Sequence, residues 1–118
     1  METKVANVRV THLRPKYNNL QEWMNDSNNV YVGRGRIVYI DGIRFPPNDS
    51  LWCNPFKGKN TTREENIAKF EKYIREKIEK ENLLDELKKI KGKTLGCWCH
   101  PENCHADVLV KLVNELIS

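Results

Sequence analysis

A chain of 118 residues with 39% hydrophobic and 31% charged side chains can build one modest core in one domain, 1–118, but not two. It has no apolar run near the length of a membrane span. Met1-Glu2-Thr3-Lys4-Val5 also lacks the basic start and apolar centre of a secretory leader, so the chain is expected to work in the cytoplasm without a membrane partner. The net charge of +4 is uneven: residues 1–60 carry nine Lys/Arg against five Asp/Glu, and residues 61–118 carry eleven of each.

In chain order, the alternation over Val5 to Val10 predicts a first strand with Val8 and Val10 on one face, broken at His12-Leu13-Arg14-Pro15. Residues 18–29, with Leu20, Trp23 and Met24 among asparagines, suit a short helix or an ordered loop. Val30 to Gly35 and Arg36 to Ile40 read as extended segments. Asp41-Gly42 is a two-residue hairpin turn into Ile43-Arg44-Phe45. Pro46 to Asn60 lacks periodicity yet carries Trp52, Cys53, Asn54, Pro55 and Phe56, content typical of a functional loop.

Thr62-Arg63-Glu64-Glu65 has the form of a capping box opening a long helix with Ile67, Phe70, Ile74 and Ile78 at helical spacing. Asn82 is expected to cap a second helix carrying Leu83, Leu84, Leu87 and Ile90, with Gly92 just beyond its end. Lys93 to Cys99 then reads as a buried strand. Cys104 to Ile117 reads as a final helix with the stripe Val108, Leu109, Leu112, Val113, Leu116 and Ile117. This order predicts an α/β fold, a small sandwich with a mixed β-sheet flanked by helices.

Leu95 to His105 gathers three of the four cysteines and two of the three histidines. In a reducing compartment such thiols read as nucleophiles or metal ligands before disulfides. Cys97 and Cys99 share a strand face, and the turn after them returns Cys104 and His105 at a helix start. Zinc on Cys97, Cys99, Cys104 and His105 is one reading, although adjacent helical positions diverge by about 100°. The other is metal-free chemistry, with Cys99 or Cys104 as an activated thiol, Cys104 helped by the helix N-terminus, and His105 or His100 moving protons. Buried structural cysteines are the plain alternative, strongest for Cys97.

Val32-Gly33-Arg34-Gly35, Trp52 with Asn54-Pro55-Phe56, Arg63 opening a helix with Tyr73, and Gly92 to Cys99 with Pro101, Cys104-His105 and Asp107-Val108-Leu109 together resemble domain of unknown function family 4326. That family occurs in viruses, phages and bacteria. The resemblance spans residues 30–113 and implies a shared site containing Gly33, Arg34, Trp52, Asn54 and Arg63 beside the Cys/His cluster. For a viral member the compartment is the host cytoplasm. Cys53 departs from the small residue expected there and is not carried into the site. The last strand and helix are also similar to family 488, whose helix opens Cys-His-Arg; here Ala106 follows His105, so Arg34 or Arg63 would have to supply that charge.

Two functions follow from these residues. One is a small enzyme or binder for a nucleotide-like or phosphorylated molecule, with Arg34 on the anion, Asn54 orienting the ligand and the Cys/His group acting on it. The other is a non-catalytic nucleic-acid-binding module with structural zinc. Arg34, Arg36, Arg44, Lys57 and Lys59 supply the basic excess that either would use. In both, Trp52 and Phe56 could stack on a base or simply pin the loop to the core.

Overall fold

The computed structural model describes residues 2–56, 62–98 and 104–117. Its elements are β1 (Lys4–Asn7), α1 (Val10–Leu13), α2 (Leu20–Asn25), β2 (Asn29–Tyr31), β3 (Val38–Ile40), β4 (Ile43–Phe45), α3 (Arg63–Lys80), α4 (Leu84–Ile90), β5 (Thr94–Cys97) and α5 (His105–Leu116). The protein is a small α/β domain whose parallel and antiparallel pairings fall in two separate sheets. Three parallel strands run in the order β1-β5-β2, with Val5 and Val30 both opposite Leu95. The hairpin β3-β4 forms the second sheet, and Asp41 (φ 53°) and Gly42 (φ 78°) make its tight turn.

Hydrophobic clusters lie on both faces of the parallel sheet. The larger joins Leu95 and Cys97 to Phe70, Ile74 and Ile78 of α3, Leu87 and Ile90 of α4, and Val108, Leu109, Leu112 and Val113 of α5. The smaller joins Val8, Leu13, Leu20, Trp23 and Tyr31, with Val38, Phe45 and Trp98 against it. Gly96 faces the smaller cluster. A Cβ there would come within 2.5 Å of the Trp23 ring and 2.7 Å of Val8, so the middle strand needs glycine for α2 to pack down. Among the described residues no helix is long and apolar enough to cross a membrane.

Several boundaries differ from expectation, each for a local reason. The first strand stops at Asn7, whose Oδ1 accepts the Arg9 amide at 2.9 Å. Val10 therefore starts a helical turn, is 41% exposed, and does not share the face of Val8. Asn82 does not cap α4. It takes φ 54° at the end of α3, where the Leu83 amide reaches back to the Ile78 carbonyl at 2.9 Å, and Leu83 precedes α4 without a side-chain cap. Residues 18–29 do hold a helix, α2, capped by Asn19 Oδ1 on the Glu22 amide at 2.9 Å. Thr62 Oγ1 accepts the Glu65 amide at 3.1 Å at the start of α3, and Gly92 (φ 77°) follows α4. Leu116 is the exposed member of the predicted α5 stripe.

Candidate functional site

Beyond β2 the chain continues the ladder for one step, the Val32 amide donating to the Gly96 carbonyl at 3.1 Å, and then enters Gly33-Arg34-Gly35. Both glycines are demanded by close approach. A Cβ on Gly33 would meet the Tyr31 hydroxyl at 2.5 Å, and one on Gly35 would overlap the Asn48 carbonyl and stand 2.7 Å from the Asp49 nitrogen. Tyr31 thus folds back over Gly33, its hydroxyl donating to the Arg34 carbonyl at 2.7 Å and accepting from Trp98 Nε1 at 2.8 Å. Burial raises the Tyr31 pKa, so it remains a phenol.

This segment also moors the loop that follows the hairpin. The Gly35 amide donates to Asp49 Oδ1 at 2.8 Å, and the Ser50 amide donates to the Gly33 carbonyl at 3.1 Å. Arg34 Nη2 donates to the carbonyls of Asn54 at 3.1 Å and Phe56 at 3.4 Å. Asn54 turns its own Oδ1 onto the Phe56 amide at 2.9 Å, which leaves Nδ2 as its outward donor. Phe56 packs edge-on to Tyr73 of α3, ring centres 5.7 Å apart.

The third component comes from the first turn of α5. His105 Nε2 lies 2.6 Å from the Val32 carbonyl, and its ring stands edge-on to Phe70 at 5.1 Å. Burial lowers its pKa; the Arg34 charge pushes the same way, while the Val32 carbonyl and Asp107 oppose. His105 is therefore neutral near pH 7. A carbonyl only accepts, so the proton sits on Nε2 and Nδ1 keeps its lone pair.

A folded pKa below the ordinary 6.5 means that the unfolded chain binds the extra proton first. The stability carried by neutral His105 is complete above about pH 6.5 and is lost as the medium acidifies through the lower, folded value. Thermal melts from pH 7.5 to 5 are expected to fall for the wild type and to stay flatter for His105→Gln. Parallel curves would show that another group is responsible.

Gly33, Arg34, Ile37, Asn54, Cys97, Trp98 and His105 line one pocket of about 180 Å³ beyond the carboxyl end of β5. The structure thus joins Gly33, Arg34, Asn54 and His105, candidates far apart in sequence. It sets three others apart from the pocket. Trp52 is 4% exposed and packs in the larger core cluster. Arg63 is an exposed residue in the first turn of α3 and is not on the pocket wall. Cys104, the N-cap of α5, is buried behind Cys97 and donates its thiol hydrogen to the Cys97 sulfur at 3.2 Å.

The Cys104 environment reverses the expected activation. The bond to Cys97, first, and burial raise its pKa, outweighing the helix N-terminus, so it stays a thiol at neutral pH. Cys99 and His100, and likewise Lys57 and Lys59, lie outside the described residues. Among the described residues no three His, Cys, Asp or Glu side chains converge to hold a metal ion. Cys97, Cys104 and His105 therefore form no such group by themselves. Sequence reasoning missed Ile37, Trp98 and Tyr31 around the pocket. Trp98 and Tyr31 occur inside the motifs, but their pairing across the sheet becomes visible only when β2 lies beside β5.

A mainly apolar pocket with a few polar groups on its wall, at the carboxyl end of a central parallel strand, is where open α/β domains place ligands. The chain belongs to the family described as Domain of unknown function (DUF4326), whose model matches residues 16–115. It is 36% identical over 91 residues to Uncharacterized protein R718 of Acanthamoeba polyphaga mimivirus, covering 70% of this chain and 65% of that protein. It is also 36% identical over 71 residues to the Uncharacterized 12.4 kDa protein in nrdA-td intergenic region of Enterobacteria phage T4, covering 58% of this chain and 65% of that one. The chain thus matches just under two thirds of the length of each relative. No solved structure matches it. The match reaches N-terminal to residue 30, taking in α2 and its Trp23 anchor.

Proposed function

We propose that the pocket binds a phosphorylated or nucleotide-like small molecule, with Arg34 meeting the anion and Asn54 Nδ2 and His105 Nδ1 orienting the rest. The observation that carries this reading is the state of Arg34. Nη2 holds the 54–56 backbone in place, while Nε and Nη1 have no partner among the described residues, on a pocket wall with no carboxylate. A guanidinium braced in this way is ordered before the ligand arrives, which lowers the entropy cost of binding. The volume of about 180 Å³ is below the usual 300–1,000 Å³ of whole-ligand sites, so it suits one moiety with the remainder outside. Neutral His105 is the wall group able to accept a proton, and is the base on the reading that the ligand is also acted upon.

Calorimetric titration with inorganic phosphate, ribose 5-phosphate and nucleoside 5′-monophosphates tests the proposal. Arg34→Gln is expected to weaken binding by about tenfold or more, but it also disturbs the loop. Ile37→Asp separates the two effects. Ile37 is 49% exposed, so a carboxylate there leaves folding intact while repelling an anion at the rim. Affinity should fall in Ile37→Asp and fall with added salt, while Arg9→Ala behaves as wild type. Absence of binding to every probe, or unaltered affinity in both pocket variants, would refute the proposal.

A further inference from the structure

We infer that the β3-β4 hairpin is a contact surface for a single-stranded nucleic acid, one nucleotide of which places a single moiety in the pocket. The inference rests on the pocket reading above and names its ligand as part of a polynucleotide. Residues 34–45 carry three arginines, Arg34, Arg36 and Arg44, against the single Asp41 at the turn. The neighbouring Asp49 carboxylate accepts the Gly35 amide. The arm is therefore net basic and complementary to a phosphate chain.

Its exposed face also offers a stacking surface. Tyr39 and Arg44 stand directly opposite each other across the two strands. The Arg44 guanidinium lies 5.1 Å from the Tyr39 ring centre, yet Tyr39 remains 65% exposed. One ring face is steadied by the cation, and the ring still has open surface for a base. Other arm residues are tied down: Val38 and Phe45 pack on the smaller core cluster. The arm is continuous with the pocket because Ile37 lines it, and Tyr39 follows two residues later, about 7 Å along an extended chain. A strand with one nucleotide held by Arg34 would thus pass its next base to Tyr39 and a backbone phosphate to Arg44 or Arg36.

Fluorescence polarisation with a labelled mixed-sequence single-stranded DNA, beside calorimetry with its constituent 5′-mononucleotides, decides the matter. The oligonucleotide should bind more tightly than any mononucleotide. Tyr39→Ala and Tyr39→Leu should each weaken it by about tenfold, Tyr39→Trp should retain it, and all three should leave mononucleotide binding unchanged. Arg44→Ala should reduce the slope of log K against log salt by about 0.7. The hairpin inference is overturned, with the pocket reading intact, if mononucleotides bind and the oligonucleotide binds no better. It is also overturned if the Tyr39 variants match wild type or duplex DNA binds equally well. Concentration-dependent self-association abolished by Ile43→Asp, with oligonucleotide binding unaltered, would assign the arm to a second copy of the chain and overturn it too. If neither probe binds, both readings fall together.

Discussion

Phe70→Ala is expected to lower the unfolding free energy by about 3–5 kcal/mol. The ring is fully buried in the larger cluster and leans on both Tyr73 and His105, so its removal leaves a void that α3 and α5 cannot fill with side chains already placed. A domain of this size has roughly 5–15 kcal/mol in total, so the variant should be near the edge of folding at 37 °C. The urea midpoint should drop with little change in slope. Where the variant still folds, the His105 imidazole, relieved of its apolar cover, should titrate closer to its ordinary value in an NMR pH series. A loss under about 1 kcal/mol with an unmoved His105 titration would mean that Phe70 does not support the site.

The second large effect is expected at Gly35. An alanine Cβ there runs into the backbone of Asn48 and Asp49 rather than into the tip of a side chain, so no rotamer change relieves it. Overpacking of this kind costs about 1–3 kcal/mol, and the displaced loop would carry Asp49, Ser50 and the mooring of Asn54 with it. Gly35→Ala should therefore lose ligand affinity at temperatures where it is still folded, and the amides of residues 48–54 and of Phe56 should exchange faster. Gly42→Ala provides the comparison. It is strained at φ 78° but meets nothing within 4 Å, so its penalty of about 1 kcal/mol should leave binding untouched. Equal binding by the two variants would show that the Gly35 contact does not shape the pocket.

The long helix, the hairpin turn and the final helix were legible because each is specified by neighbours in the chain. Thr62 and Glu65 mark one start, Asp41-Gly42 one turn, and Val108 to Val113 one buried stripe. Asn82 was misread because the same residue type serves as an N-cap or as the left-handed residue closing a helix, and the choice depends on whether Leu83 can reach back to Ile78. The pocket members Gly33, Arg34 and Asn54 were legible through the family resemblance, and His105 through its place in the Cys/His cluster. The burial of Trp52 and Cys104 was not, because an aromatic in a loop and a thiol at a helix start look alike in sequence whether they face solvent or core. The thiol's state depends on Cys97 standing across from it, a long-range fact that spacing only suggests.

The place of β5 in the sheet has a consequence for the growing chain. β1 and β2 pair with β5 and not with each other, so neither can complete a ladder until synthesis has passed Cys97. Until then Val5, Val8, Trp23 and Val30 wait without the strand that would cover them, while α3 and the hairpin can form from local contacts alone. The β1 and β2 segments of the nascent domain thus keep open strand edges until β5 has been made. A fragment ending before Thr94 would have its long helix and its hairpin but no parallel sheet to set between them.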